Sequence, residues 1–321
     1  MPAVAQSTGV VTRSRRTLAI REAIWFYIFI SPWLVGFLLF TAGPIVASGA
    51  LSFTHNDPVN WPPKWVGMAN YDLMWKDPLF WRSLNTTFYY TFFSVPLSVA
   101  FATVIALLLN EKLPLISVWR TLYYLPAIIS GVPVAVMWWL MFNSSFGLIN
   151  GTLWDISKLF VGDDNAIIGP RWFSDPPWVL PAFIVMSLWA FGGPMLIYLA
   201  AIQGVPTHLY ESAQLDGANV IQQVWHITIP SITPVIFFNG IMAIIGSFQV
   251  FTNAYVITQG GPNYASYFFV LHIYNNAFTY IANMGYADAL SWVLFIVMLV
   301  FTYIAFRSSA AWVHYETEVA R

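Results

Sequence analysis

The sequence predicts an all-α polytopic membrane protein with six transmembrane helices. Two observations carry this. Of the 321 residues, 58% are hydrophobic and only 8% charged, where an ordinary soluble domain carries about 25% charged residues. The apolar residues also run together, in stretches that reach the roughly 20 residues needed to cross about 30 Å of hydrocarbon. A transmembrane β-barrel would need short segments alternating apolar and polar, so that class is excluded.

Taken in order, residues 1–22 form a cytoplasmic segment carrying Arg13, Arg15, Arg16 and Arg21. The apolar run at 23–51 is far longer than the roughly 7–15-residue core of a secretory signal, so it reads as an uncleaved first span. Pro32 and Pro44 interrupt it. Further spans are expected at 85–109, 121–142, 178–202, 231–257 and 286–307, with a cytoplasmic tail at 308–321. Pro96, Pro126, Pro133, Pro181, Pro194 and Pro234 lie in or near them; neighbouring helices can satisfy the carbonyls that such prolines free. Two outer loops are long. Residues 53–84 hold the turn-rich WPPKW and then NYDLMWKDPLFWRS, whose aromatics suit a membrane interface. Residues 143–177 hold FGLINGTLWDISKLF, read as a short helix, and the turn-prone GPRWFSDPPW.

Orientation follows from Lys and Arg, which favour the cytoplasmic side. With the N-terminus inside, the inner segments hold Arg13, Arg15, Arg16, Arg21, Lys112, Arg120, Arg307 and Arg321. The outer loops hold Lys64, Lys76, Arg82, Lys158 and Arg171, with many aspartates, among them Asp163 and Asp164. Both termini are therefore expected in the cytoplasm.

Several chemistries are excluded. The chain has no cysteine and a net charge of −1, so thiolate chemistry is absent and no basic patch invites nucleic acid. No Gly-Lys pair occurs, so there is no P-loop to cradle ATP. The five histidines are scattered without ligand-like spacing. No Ser/His/Asp set or paired carboxylates stand out.

Between the fourth and fifth spans lies a polar island, PTHLYESAQLDGANVIQQVWHITIP, from Pro206 to Pro230. It reads as helix, turn and helix, with Asp216-Gly217 as the break and Val220, Val224 and Ile227 as one apolar stripe. It holds Glu211 and Asp216 but neither Lys nor Arg, which fits a protein partner better than lipid headgroups. Its residues follow a spaced pattern: Glu211-Ser212-Ala213, three residues, Gly217, nine residues, Ile227-Thr228-Ile229-Pro230. This resembles the cytoplasmic E-A-A loop of binding-protein-dependent ABC importer permeases, with Ser212 and Ile229 as mild departures. NYDLMWKDPLFWRSLNTTFYYTFFSVPLSVAFATVIALLLN, YYLPAIISGVPVAVMWWLMF with Gly147 and Asn150, YVITQGGP and YNNAFTYIANMGYADALS extend the likeness over nearly the whole chain. They resemble the first permease of carbohydrate-uptake systems of the maltose and glycerol-phosphate type.

That resemblance implies the MetI-like fold of type I importers in a bacterial or archaeal inner membrane, and a transport subunit that is not itself an enzyme. It implies a second permease completing a heterodimer, an ATPase dimer holding ATP and Mg, and an extracytoplasmic sugar-binding protein. Glu211, Ser212, Ala213, Asp216, Gly217, Ile227 and Pro230 would dock the loop on the ATPase and turn its motion into rotation of spans four to six. Glu211 can accept charge-assisted hydrogen bonds from a cationic partner.

In the fifth span, a wheel of about 100° per residue puts Asn239, Gly246, Gln249 and Asn253, with Met242, within about 80° of arc. Amides are costly in lipid, so this face lines either the sugar pathway or an interhelical hydrogen-bonded contact. Asp288 starts the sixth span as a gating or interfacial carboxylate, and Trp138, Trp139, Trp189 and Trp292 are stacking or packing aromatics. The competing reading is an ion-coupled secondary transporter or channel; a membrane-embedded enzyme is a third. The first needs ionisable groups within the spans, and the span interiors are nearly devoid of them.

Overall fold

The computed structural model describes residues 9–57, 60–111, 114–162, 169–279 and 283–314. Lys112, Asp163, Asp164 and Arg321 of the charge count lie outside these ranges. Helix α1 (Gly9–Phe37) runs through a wider π-helical stretch, Leu38–Ala42, into α2 (Gly43–Leu51). The stretch Thr17–Leu51 is long and apolar enough to cross a membrane, and its most apolar window is unburied within this chain. A hairpin follows, β1 (Thr54–Asp57) antiparallel to β2 (Asn60–Trp65), with Thr54 opposite Trp65.

After α3 (Ala69–Lys76), the second span is one long helix, α4 (Pro78–Asn110). It starts before the expected residue 85 because Asp77 caps it: the carboxylate accepts the Leu79 N–H at 2.8 Å, and Pro78 occupies the first turn, where its missing N–H costs nothing. The third span is not the single helix expected at 121–142. It is a broken pair, α5 (Ile116–Ile128) and α6 (Val132–Met141), bent by 106°. The chain turns at Ile129-Ser130-Gly131, and Pro133 opens α6.

Helix α7 (Leu148–Val161) lies between the third and fourth spans. The fourth span joins α8 (Pro176–Ser187) through a tight turn to α9 (Gly192–Gln203). The island gives α10 (Thr207–Leu215) and α11 (Val220–Gln223), which continues through a π-helical stretch, Val224–Thr228, into α12 (Ile229–Phe248). The fifth helix thus stops at Phe248, short of the expected 257. A third π-helical stretch (Ala254–Thr258), α13 (Phe269–Tyr274), a fourth (Asn275–Thr279) and α14 (Met284–Ser309) complete the described chain. Among the described residues five helices are long and apolar enough to be spans, or six with the bent pair taken as one.

Helix α4 is the central post. On its inner half, Ala102, Ala106 and Leu109 pack with Met195, Leu199 and Ile202 of α9 and Ile232 of α12. Small residues let these backbones approach closely, the usual basis of helix association in lipid. On its outer half, Tyr90 joins Trp138, Phe142, Phe183 and Phe268. A third cluster sets Phe80 against Phe248, Phe269, Tyr286 and Leu290.

Polar ties close the outer end. Thr87 Oγ1 accepts the Phe269 N–H at 3.0 Å, and the Tyr286 hydroxyl donates to Asp77 Oδ2 at 2.9 Å. The same oxygen lies 3.3 Å from buried His272 Nε2. Burial pushes that imidazole below its ordinary pKa, against the upward pull of Asp77. Helix α14 meets the hairpin at Gly285, where an added Cβ would run into the carbonyl oxygens of Thr54 and Leu51. Replacing Gly285 by Ala is therefore expected to destabilise the protein by about 1–3 kcal/mol. Gly240, whose Cβ would meet nothing within 4 Å, should tolerate Ala. Thermal denaturation of the two purified variants checks this.

Candidate functional site

The 206–230 island is a helix–turn–helix held by local hydrogen bonds. Helix α10 ends at Asp216, and Gly217 takes φ +82°, a left-handed conformation costly for any residue with a Cβ. The Gly217 N–H donates to Gln214 O at 3.0 Å and the Ala218 N–H to Ala213 O at 2.9 Å, the paired bonds of a Schellman motif. Two residues later Asn219 caps α11. Gln222 N–H donates to Asn219 Oδ1 at 2.9 Å, and Asn219 N–H donates to Gln222 Oε1 at 2.8 Å. This is a reciprocal capping box. Gln223 Nε2 donates to Ala218 O at 3.0 Å, closing the turn from the other side.

The motif is joined to the membrane core at its base. The Tyr210 hydroxyl lies 2.9 Å from the Oγ1 of buried Thr228, linking the two helices. Tyr210 and Ile227 pack on the inner apolar cluster of α4, α9 and α12. Pro230 sits in the first turn of α12. Glu211, Ser212, Asp216 and Gly217 are exposed, and Ala213 and Ile227 are half-buried. Ala213, Asp216, Gly217 and Ile227 border a cleft of about 310 Å³ with Gln222 and His226. The tip also bares apolar side chains: Leu215 is 90% exposed, and Val220, Ile221 and Trp225 are exposed as well. Val220 thus lies outside the buried part of the stripe expected from spacing, and Ile221 and Trp225 join an exposed apolar tip that spacing did not mark.

The second feature is a cavity of about 470 Å³ within the bundle. Its walls come from α4 (Tyr90, Ser94, Ser98), the break between α5 and α6 (Ile129, Ser130, Gly131), the turn between α8 and α9 (Trp189), α9 (Pro194, Tyr198) and α12. Ser94 and Ser187 line the same space as Tyr90. On α12 the lining residues are Asn239, Ala243, Gly246 and Ser247, joined by Asn253 beyond the helix end. Ser247 Oγ lies 2.9 Å from Thr91 Oγ1 of α4, and Asn239 Nδ2 donates to Val235 O at 3.0 Å. Among the described residues no Asp, Glu, Lys, Arg or His lines the cavity.

Gln249 does not belong to this wall. A wheel extended through 257 assumes an unbroken helix, but α12 stops at Phe248 and Gln249 is its cap. The lining positions 239, 243, 246 and 247 centre near +25° on the wheel, whereas Met242 and Gln249 fall at about −60° and −80°. Met242 is exposed, and Gln249 Nε2 lies 3.9 Å from Met298 Sδ on α14. Asn253 reaches the cavity because the break redirects the chain. Asp288 is also off this wall, its carboxylate accepting the Ser48 hydroxyl at 2.6 Å from α2. Trp189, of the aromatics named from sequence, lines the cavity; Trp138 is buried in the outer cluster beside it.

The profile of binding-protein-dependent transport system inner membrane components matches residues 78–313. The chain belongs to this family. It is 42% identical over 296 residues to the probable ABC transporter permease protein YesP of Bacillus subtilis (strain 168), spanning 91% of this chain and 92% of that one. It is 31% identical over 304 residues to the lactose transport system permease protein LacF of Rhizobium radiobacter, spanning 94% and 99%. A chain in the crystal structure of a bacterial ABC transporter involved in the import of the acidic polysaccharide alginate superposes with a TM-score of 0.78 at 24% identity. It covers 92% of this chain and 99% of its own, a likeness of fold. This ABC permease is thus a multi-pass inner membrane protein of the MetI-like class and a transport subunit, with no enzymatic role of its own.

The turn chemistry of the permease's island yields a prediction. An added Cβ at Gly217 meets nothing within 4 Å, so Gly217→Ala acts through backbone strain alone, about 1–2 kcal/mol. In assembled transporter, Gly217→Ala should lower ATP-driven uptake several-fold while leaving membrane abundance near wild type. Uptake in right-side-out vesicles, normalised to permease content, checks this.

Proposed function

We propose that this permease forms half of the translocation pathway of an ABC importer for an uncharged sugar or oligosaccharide. The observation that carries the reading is the cavity: serine hydroxyls, two amides, two tyrosines and a tryptophan, with no charged side chain among its described lining residues. Hydroxyls and amides both donate and accept hydrogen bonds, which suits the mixed demands of sugar hydroxyls, while Trp189 offers an apolar face. The LacF relative is a lactose system permease, which supports the same class. An ion-coupled transporter would need a titratable group facing the pathway, and Asp288 is turned to Ser48 instead.

In this reading a second permease completes a heterodimer, an ATPase dimer supplies ATP and Mg from the cytoplasm, and an extracytoplasmic binding protein delivers the sugar. Both termini and the 206–230 loop face the cytoplasm, in keeping with the distribution of arginine. The exposed tip (Leu215, Val220, Ile221, Trp225) and Glu211 dock the ATPase. Closure of the ATPase then pulls on Tyr210, Thr228 and Ile227, and through them on α9 and α12, whose side chains wall the cavity. Alternating access follows from tilting those two helices against α4.

Asn239→Leu combined with Asn253→Leu removes two polar contacts at about 0.5–1.5 kcal/mol each. Transport of the cognate sugar should fall roughly five- to one-hundred-fold in kcat/KM, with basal ATPase activity retained. Gln249→Leu should change little. Reconstituted uptake against a sugar panel, with the ATPase and binding protein present, tests the assignment; unchanged rate and specificity in the double variant would overturn it.

A further inference from the structure

Helix α7 has three distinct sides. On a wheel of about 100° per residue starting at Leu148, the apolar residues Leu148, Ile149, Leu153, Ile156, Leu159 and Phe160 occupy the arc from about 0° to 140°, with Thr152 among them. Asn150 and Ser157 lie near 190°, and Gly151, Asp155 and Lys158 between about 280° and 340°. The side turned toward the body of the permease is the middle one, since Asn150 and Ser157 are buried. The apolar sector is largely bare: Leu159 and Phe160 are each 83% exposed, and Leu148, Leu153 and Ile156 are exposed too. The polar sector flanks the buried side on the opposite edge, where Asp155 and Gly151 border an open cleft.

The height of this helix is set by Asn150. Its Nδ2 donates to Ser144 O at 3.3 Å and Pro170 O at 3.1 Å, and its Oδ1 accepts the Trp172 indole N–H at 2.7 Å. All three partners lie in the short stretches between the end of α6 at Met141 and the start of α8 at Pro176. Helix α7 is therefore pinned at the level where two spans leave the hydrocarbon. Trp172 and Trp178 pack edge to face there, ring centroids 5.4 Å apart, and tryptophans favour membrane interfaces.

We propose that α7 lies in the plane of the outer membrane–water boundary, with its Leu148–Ile156–Leu159–Phe160 sector in the outer leaflet, its Asn150–Ser157 side on the permease and its Asp155–Lys158 sector in water. Lipid is the occupant because the helix is pinned beside the span ends and the one polar side chain within the bare sector, Thr152, turns its hydroxyl onto the Leu148 and Ile149 carbonyls at 2.9 Å. A binding protein that docks and leaves in each cycle would return this surface to water, where a contiguous apolar face is unfavourable. A strongly amphipathic helix with its apolar face at the acyl boundary is the general solution.

The absence of cysteine permits a clean test. Single-cysteine variants Ile156→Cys, Leu159→Cys and Phe160→Cys on one sector, and Asp155→Cys and Lys158→Cys on the other, are spin-labelled in the assembled transporter. The complexes are placed in nanodiscs of phosphatidylcholine and phosphatidylglycerol. Collision with oxygen, which partitions into lipid, is compared with collision with a water-soluble nickel chelate. The oxygen-to-nickel ratio should be several-fold higher at 156, 159 and 160 than at 155 and 158. Equal, nickel-dominated ratios at all five would overturn the proposal by placing the sector in water. Labels at 156, 159 and 160 that are immobilised and shielded from both reagents would overturn it by placing a protein partner there. Using three positions on the apolar sector keeps the test open if one variant fails to assemble.

Discussion

Inside a bilayer a backbone N–H or C=O has no water to turn to, and each unsatisfied group costs several kcal/mol. That constraint organises this permease. Its helices can be interrupted only where protein or a polar cavity receives the freed groups. Two of the interruptions fall there: the turn at Ile129–Gly131 lines the cavity directly, and the stop after Phe248 brings Asn253 to its wall. The 3-10 turn before α9 contributes Trp189 to the same space. The cavity is thus made by the breaks. Tilting the helices that carry them changes its shape without exposing backbone to lipid.

The coupling proposed above requires in addition that force from outside the membrane reach those helices undiminished. The island meets it through short-range chemistry. A Schellman turn at Gly217, a capping box from Asn219 to Gln222 and the Tyr210–Thr228 contact leave few free torsions between the exposed tip and the core. Tyr210 and Ile227 then embed in the same cluster as Ala102, Ala106 and Met195. The apolar tip and the apolar base are the two ends of one compact lever.

Much of this was readable from the chain. Runs of apolar residues marked the spans, and the spacing from Glu211 to Pro230 located the loop and its left-handed glycine. What escaped had physical causes. The stop at Phe248 carries no Pro or Asn signal, and apolar Val250-Phe251 follows directly on Gln249, so a wheel continued through the stop misplaces Gln249. Conversely, Asp77-Pro78 and Asn219-x-x-Gln222 are ordinary cap signatures that were legible and went unused. The bend in the third span needed Ser130-Gly131 and Pro133 to be read together as a break, not as tolerated substitutions. Exposure of Leu215, Ile221 and Trp225 depends on which neighbours the tip lacks, and a stripe pattern contains no such information.

The central claim is that the loop and the inner halves of α9 and α12 move as one body. Spin labels at Leu215→Cys and Phe238→Cys, both exposed positions, report on it by electron–electron distance measurement in the assembled transporter, with and without trapped ATP. The account predicts a single narrow distance that stays fixed between the two states. A distance that shifts or broadens on ATP binding would show the loop hinging against the core, and would contradict it.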